Sequence, residues 1–163
     1  MLISEELNKA FNEEIGRELF ASHQYIAIAS YFDGRALKKL AEMFFKQSEE
    51  EREHAMKFVH YLNDVNGKVE IPAVQAPKND FQSAEEAVRL ALEWELEVTK
   101  HINDLMTLAI EQKDYAAQEF LDWFVKEQVE EVSTMQDLLQ IVQQVGEHYL
   151  IMVEAYLSHG GGG

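Results

Sequence analysis

Glutamates inside apolar helical stripes are the residues of this sequence most able to do chemistry. Glu51 and His54 form the pattern Glu-x-x-His, which puts a carboxylate and an imidazole on one face of a helix. This pair is a ligand motif of di-iron sites in helical bundles, although an acidic helix also produces it by chance. Here the apolar or aromatic residues that recur around the pair at three- to four-residue spacing, from Leu40 to Val65, favour its interpretation as a ligand motif.

Three further segments carry a glutamate in the same kind of position, namely Glu18, Glu95 and Glu131. Glu18 and Glu51 are equally far, 15 residues, from the turn that would join their helices. Glu95 and Glu131 are both 17 residues from theirs. In antiparallel pairs of helices, equal distances from the turn put side chains at the same level. All four carboxylates, together with the neighbouring imidazole, are therefore expected to meet near the middle of the bundle.

Four carboxylates at one level of a core require positive charge. A buried carboxylate without a partner costs several kcal/mol, and like charges add to that cost. A single interior glutamate could be neutral or paired with Arg17, Arg52 or Lys126, but four together favour a bound metal. A carboxylate-rich site with one histidine suits iron or manganese better than zinc.

The elements that would position these residues are long helices. Prolines and glycines are scarce, and the turn signals of a β-rich fold are missing. The pattern predicts an all-α fold: a four-helix bundle followed by a short fifth helix, with helices at about 4–33, 36–66, 83–112, 114–145 and 147–157. Both prolines lie in the connection 67–82, which is long enough to traverse the bundle as a crossover. We expect a single domain over 1–159 and a flexible glycine tail over 160–163.

Composition narrows the classes of function. The 163 residues include no cysteine, which excludes disulfide scaffolds and thiolate metal sites. Lysine and arginine number 14 against 30 acidic residues, a net charge of −16, so nucleic acid and anionic membranes are not expected as partners. No signal peptide or membrane span is recognisable, which predicts a cytoplasmic protein.

Three segments resemble those of bacterial and archaeal non-haem ferritins, and the resemblance covers nearly the whole chain. They are RELFASHQYIAIASYFD, EEEREHAMKFVHYLNDVNGKVEIP and EQKDYAAQEFLDWFVKEQVEE. The resemblance implies a ferritin-like bundle with one long crossover. It also implies a homo-oligomeric cage of twenty-four subunits that oxidises iron(II) with dioxygen or hydrogen peroxide and stores iron(III) mineral.

The resemblance also implies roles for individual residues. One iron site would use Glu18, Glu51 and His54, and the second would share Glu51 and add Glu95 and Glu131.

Further positions match residues around this centre. Gln128 lies near the second site, Tyr25 matches a tyrosine hydrogen-bonded beside the centre, and Trp123 matches an adjacent tryptophan. A third iron site would share Glu131 and add three glutamates: Glu50, Glu127 and Glu130.

Two departures separate the chain from sister families. Bacterioferritins have a haem-binding methionine directly after the glutamate of the second helix, where this chain has Arg52. Bacterioferritins and rubrerythrins repeat Glu-x-x-His on the last bundle helix, where this chain reads Glu127-Gln128-Val129-Glu130. We therefore expect an asymmetric centre without haem. A di-iron or manganese peroxidase and a catalytically inert helical cage are the alternatives.

Overall fold

Five α-helices make up most of the chain in the computed structural model, which describes residues 2–160. The predicted all-helical fold is confirmed, and residues 2–160 contain no β-strand. The predicted glycine tail lies outside the described residues from Gly161 onward. The helices are α1 (Glu5–Gly34), α2 (Lys38–Asp64), α3 (Ala84–Glu111), α4 (Tyr115–Val145) and α5 (Ile151–Ser158), with a short 3-10 helix at Glu147–Tyr149.

Side-chain caps begin three of the long helices. The hydroxyl oxygens of Ser4 and Ser83 accept hydrogen bonds from the third residue of α1 and of α3, each at 3.0 Å. Asp114 caps α4 in the same way. Each cap satisfies one of the backbone N–H groups that a helix leaves free at its start. The carboxylate of Glu86, the third residue of α3, accepts a hydrogen bond from the backbone N–H of Gln82, which lies before the helix.

The bounds of α2 and of the last helix differ from those expected. Ala36 and Asn66 have φ angles of 61° and 57°, in the left-handed region, so α2 is confined to Lys38–Asp64. The predicted helix at 147–157 is divided into the 3-10 turn and α5. Local backbone conformation that the hydrophobic pattern does not encode accounts for these differences.

Helix α5 compensates for a missing cap on α2. Leu37 precedes α2 and provides no side-chain cap. Instead the Glu154 carboxylate of α5 accepts from the backbone N–H groups of Lys39 at 2.9 Å and Leu40 at 2.8 Å. A carboxylate at a helix N-terminus is favoured by the helix dipole. This contact fixes α5 against the bundle.

The connection between α2 and α3 runs along α1 and is held by amide side chains. Asn12 bonds the backbone of Lys68 and Glu70, each at 2.8 Å. Farther along α1, Gln24 accepts from the backbone N–H of Lys78 at 2.9 Å and donates to its carbonyl at 2.8 Å. The crossover is therefore an ordered part of the bundle surface.

Apolar residues form two separate cores, one on each side of a polar layer. One core contains Tyr25, Phe44 and Met135, and Val153 of α5 joins it. The other contains Phe11, Phe58 and Phe124. The glutamates singled out above lie between these cores, whose buried side chains are apolar apart from the hydroxyl of Tyr25.

A close contact with the crossover explains why α1 contains a glycine at position 16. A Cβ atom at this position would lie 2.5 Å from Cγ of Pro72 in the crossover. Alanine ordinarily favours a helix over glycine by up to about 1 kcal/mol, but here the proline ring would have to move. The glycine therefore allows the crossover to approach α1 closely.

We predict that Gly16→Ala lowers the free energy of unfolding by about 1–3 kcal/mol, the usual cost of forced contact in a packed region. Thermal unfolding of the purified protein measures the effect. Gly34→Ala is the matched control, because a Cβ there meets nothing within 4 Å. A Gly16→Ala protein as stable as the Gly34→Ala protein would contradict the packing argument.

Candidate metal centre

Each long helix contributes a buried glutamate to one cluster in the polar layer. Glu18 and Glu95 are fully buried, and Glu51 and Glu131 are nearly so. His54, one turn after Glu51 on α2, is 4% exposed. The helical stripes place these five side chains at the level that the sequence predicts.

The cluster contains two triads that share one carboxylate. Glu18, Glu51 and His54 form the first, and Glu51, Glu95 and Glu131 form the second. Within each triad the possible ligand atoms lie within 4.8 Å of one another. This spacing suits two neighbouring cations, with Glu51 between them.

Several atoms of the first triad have no hydrogen-bond partner. Among the described residues, no N–H or O–H group donates to either carboxylate oxygen of Glu18. Nδ1 of His54 lies 3.3 Å from Oε2 of Glu51 and 3.6 Å from Oε2 of Glu18, without a well-directed hydrogen bond. Buried polar atoms are normally hydrogen-bonded, so the unpaired atoms of this triad are those expected at a site that binds an ion.

Amide and phenol donors hold the carboxylates of the second triad. The Gln47 amide donates to Glu51 at 3.1 Å and also to Glu131. The Gln128 amide donates to Oε2 of Glu95 at 3.1 Å, and the Tyr25 hydroxyl donates to Oε1 at 2.5 Å. These contacts fix the carboxylates but leave lone pairs available for a cation.

Burial raises the pKa of most of these carboxyl groups. The pKa values of Glu18 and Glu95 lie well above the ordinary value, through burial and then the charge of Glu51. Burial, together with the charges of Glu95 and Glu51, raises the pKa of Glu131 to about 9.

Glu51 and His54 behave differently. Burial acts to raise the pKa of Glu51, but the neighbouring Glu18 carboxyl group, the His54 imidazole and the Gln47 amide outweigh it and hold the pKa below its ordinary value. Burial acts to lower the pKa of His54, but the neighbouring Glu51 carboxylate raises it overall. The shared carboxylate is therefore the group most readily ionised.

The residues predicted for a third site lie beside the centre but do not all converge. Glu127 forms a triad with His54 and Glu131, with ligand atoms within 4.8 Å. Glu50 and Glu130 belong to no such triad among residues 2–160. They line a cavity of about 400 Å³ between α2 and α4, which Glu127, Glu131 and Gln47 also line.

Aromatic side chains enclose the imidazole. The ring of His54 packs edge-on against Trp123 at 5.3 Å and Phe124 at 5.8 Å. Trp123 is 39% exposed, and the Lys57 ammonium lies over its indole ring. Trp123 therefore lies between the histidine and solvent.

Two buried polar residues near the centre are not predicted by the sequence pattern. Gln47 belongs to the apolar stripe of α2, and its position one turn before Glu51 is the signal that could have revealed its role. Glu14 lies one turn before Glu18 on α1 and is fully buried. Its sequence context, Asn12-Glu13-Glu14, is typical of a solvated helix face.

The sequence matches the family model described as a ferritin-like domain over residues 8–145, most of the chain. The chain belongs to the ferritin family. This confirms the resemblance found in the sequence.

Relatives with a ferritin name match most of the chain. The Mycolicibacterium smegmatis protein named Ferritin BfrB is 42% identical over 146 residues, 90% of this chain and 80% of that protein. A Staphylococcus aureus bacterial non-heme ferritin is 38% identical, over 90% of this chain and 88% of that protein.

A solved structure gives the same fold. An open-pore ferritin from the archaeon Archaeoglobus fulgidus has a TM-score of 0.92 at 34% identity, covering 96% of this chain and 97% of that chain. The predicted ferritin-like four-helix bundle is thereby confirmed. Each helix within residues 2–160 is too short or too polar to span a lipid bilayer.

We predict that the metal-free protein loses stability as the pH rises from about 5 to about 9. The raised pKa of Glu131, from 4.5 to about 9, means that the folded state binds its proton more tightly than the unfolded state. Folding is then favoured at low pH within this window, and the raised pKa of His54 acts in the same direction.

Thermal unfolding across the window, with chelator present, measures the slope. Glu131→Gln removes one titrating group and should reduce the decline. Stability of the metal-free protein that increases with pH across this window would contradict the burial argument.

Proposed function

We propose that this chain is a subunit of an iron-storage cage that oxidises iron(II) at the centre between its four long helices. The observation that carries the proposal is the fully buried Glu18 carboxylate, which lacks a donor and faces the Glu51 and His54 ligand atoms. Such a carboxylate is costly to bury unless a cation accompanies it. Membership of the ferritin family makes iron(II) the expected cation.

The ligand set favours oxidation of iron(II). Four carboxylates stabilise iron(III) more than iron(II) because the attraction grows with the charge of the ion, and burial strengthens it. Each of two iron(II) ions loses one electron. One dioxygen molecule takes both electrons and two protons and leaves as hydrogen peroxide. In this proposal iron is the substrate, and no haem takes part.

The side chains around the ligands keep the two iron positions distinct. Glu51 serves both positions, and Gln47 orients it together with Glu131. Tyr25 of α1 donates to one carboxylate oxygen of Glu95, and Gln128 of α4 donates to the other. Replacing such supporting residues typically costs about 10- to 100-fold in affinity or activity at metal sites.

The cavity between α2 and α4 gives iron(III) a route away from the centre. Glu131 belongs to both the second triad and the cavity wall. Glu127, Glu50 and Glu130 continue the carboxylate lining toward solvent. We place the third iron position here, with Glu127 as its best-positioned ligand.

Membership of the ferritin family and the exposed apolar side chains both support assembly into a cage. Ile26 on α1, Leu96 and Ile110 on α3, and Ile151 and Met152 on α5 are each 45–71% exposed in the single chain. Contacts between copies would cover such side chains. We propose a homo-oligomer of twenty-four subunits; a cytoplasmic location stays a prediction.

Stopped-flow absorbance after mixing with iron(II) in air tests the proposal. We expect a fast oxidation phase that Glu18→Ala and His54→Ala each slow by at least about tenfold, as expected for loss of a ligand. Glu53→Ala is the matched control, since Glu53 is exposed beside His54 on α2. A fast phase retained in both ligand variants would contradict the site assignment.

Size-exclusion chromatography and the iron content of the purified protein test storage separately. A cage-sized particle that retains many irons per subunit supports it. A dimer with fast peroxide turnover and little retained iron would identify a peroxidase. A cage that binds metal without consuming oxygen would identify an inert centre.

A further inference from the structure

Glu14 is a buried carboxylate next to the centre that none of the three ligand triads includes. It lies four residues before Glu18 on α1, so the two side chains share a helix face. Its relative exposure is 0%. Nε of Arg17 donates to Oε1 of Glu14 at 2.8 Å, but the other oxygen, Oε2, is buried without a donor.

Three acceptor oxygens therefore lie unpaired on successive turns of α1. They are Oε2 of Glu14 and both oxygens of Glu18. The two carboxyl groups lie one turn apart on the same face of α1, and both side chains are fully buried. Ionised carboxylates only accept hydrogen bonds, so they stabilise each other only through a proton or a cation between them.

Arg17 connects this pair of carboxylates to the surface. Its side chain is 24% exposed, whereas that of Glu14 is fully buried. Its charge also reaches α3, where burial and then the Arg17 guanidinium lower the pKa of His101. The guanidinium neutralises Glu14 from the solvent side, and a partly exposed arginine can withdraw when another cation arrives.

We propose that Glu14 and Glu18 form an additional binding position for a divalent cation, on the α1 side of the centre. Arg17 is the counter-ion of Glu14 when this position is empty. The inference rests on the proposed function, because the cation it concerns is iron(II) approaching the oxidation centre. Glu18 belongs to this position and to the first triad, so it can pass a cation from one to the other.

Carboxylate oxygens suit iron(II), and the incomplete ligand set suits a transient position. Two protein carboxylates supply fewer ligand residues than either triad. A cation held in this way exchanges more readily than one held by a triad.

Anomalous X-ray diffraction at the iron absorption edge tests the proposal. Crystals of the full chain are loaded anaerobically with iron(II). We expect a peak between the Glu14 and Glu18 carboxylates, in addition to peaks at the two triads that share Glu51. Glu14→Gln should remove the additional peak only, and Arg17→Gln should strengthen it by removing the competing guanidinium.

Glu13→Gln is the matched control, because Glu13 is exposed on the neighbouring position of α1 and should leave every peak unchanged. Peaks at the two triads without one at Glu14 in the wild type would overturn this inference and leave the proposed function intact. In that case the two carboxyl groups share a proton instead. Absence of all peaks would overturn both.

Discussion

Burying four carboxyl groups at mid-bundle costs free energy that the packing of the four long helices must offset. Glu18, Glu51, Glu95 and Glu131 come from four different helices and occupy one layer between two apolar cores. Without a cation, this layer opposes folding because its carboxyl groups lose their hydration and must either bind protons or repel one another. Proteins retain such arrangements at functional sites, and the surrounding structure must supply the compensating stability.

The two apolar cores and the helix connections provide that compensation. Aromatic packing among Phe11, Phe58 and Phe124 fixes the helices on one side of the layer. On the other side, Glu154 ties α5 to the beginning of α2. The crossover adds hydrogen bonds along α1. The positions of the helices are thus set by contacts remote from the ligands, which allows Glu18 to stay unpaired in the folded chain.

The sequence predicts the helices and the four central glutamates because both depend on periodicity. A charged residue inside an apolar stripe is visible without coordinates, and its distance from a turn sets its level. The roles of Gln47 and Glu14 are harder to predict from the sequence, because an amide or a carboxyl group one turn from a ligand is also common on solvated helix faces. Their burial depends on packing between helices, which no single stripe encodes.

Several local features of the backbone are also not predicted by the pattern of apolar and polar residues. The left-handed residues Ala36 and Asn66 shorten α2, although neither is a glycine. The Glu86 carboxylate accepts a hydrogen bond from the backbone N–H of Gln82, which precedes the Ser83 cap of α3. The close approach of Pro72 to Gly16 joins segments 56 residues apart. Each feature depends on the course of the chain beyond the helix, so it follows from the tertiary structure and not from the local sequence.

Anaerobic calorimetric titration of the metal-free protein with iron(II) tests whether two cation sites share Glu51. Because Glu51 belongs to both triads, we expect two tight sites per subunit in the wild type and weakening of both in Glu51→Gln. Glu18→Gln should weaken only one of them. A Glu51→Gln protein that keeps two tight sites would contradict the shared-carboxylate centre.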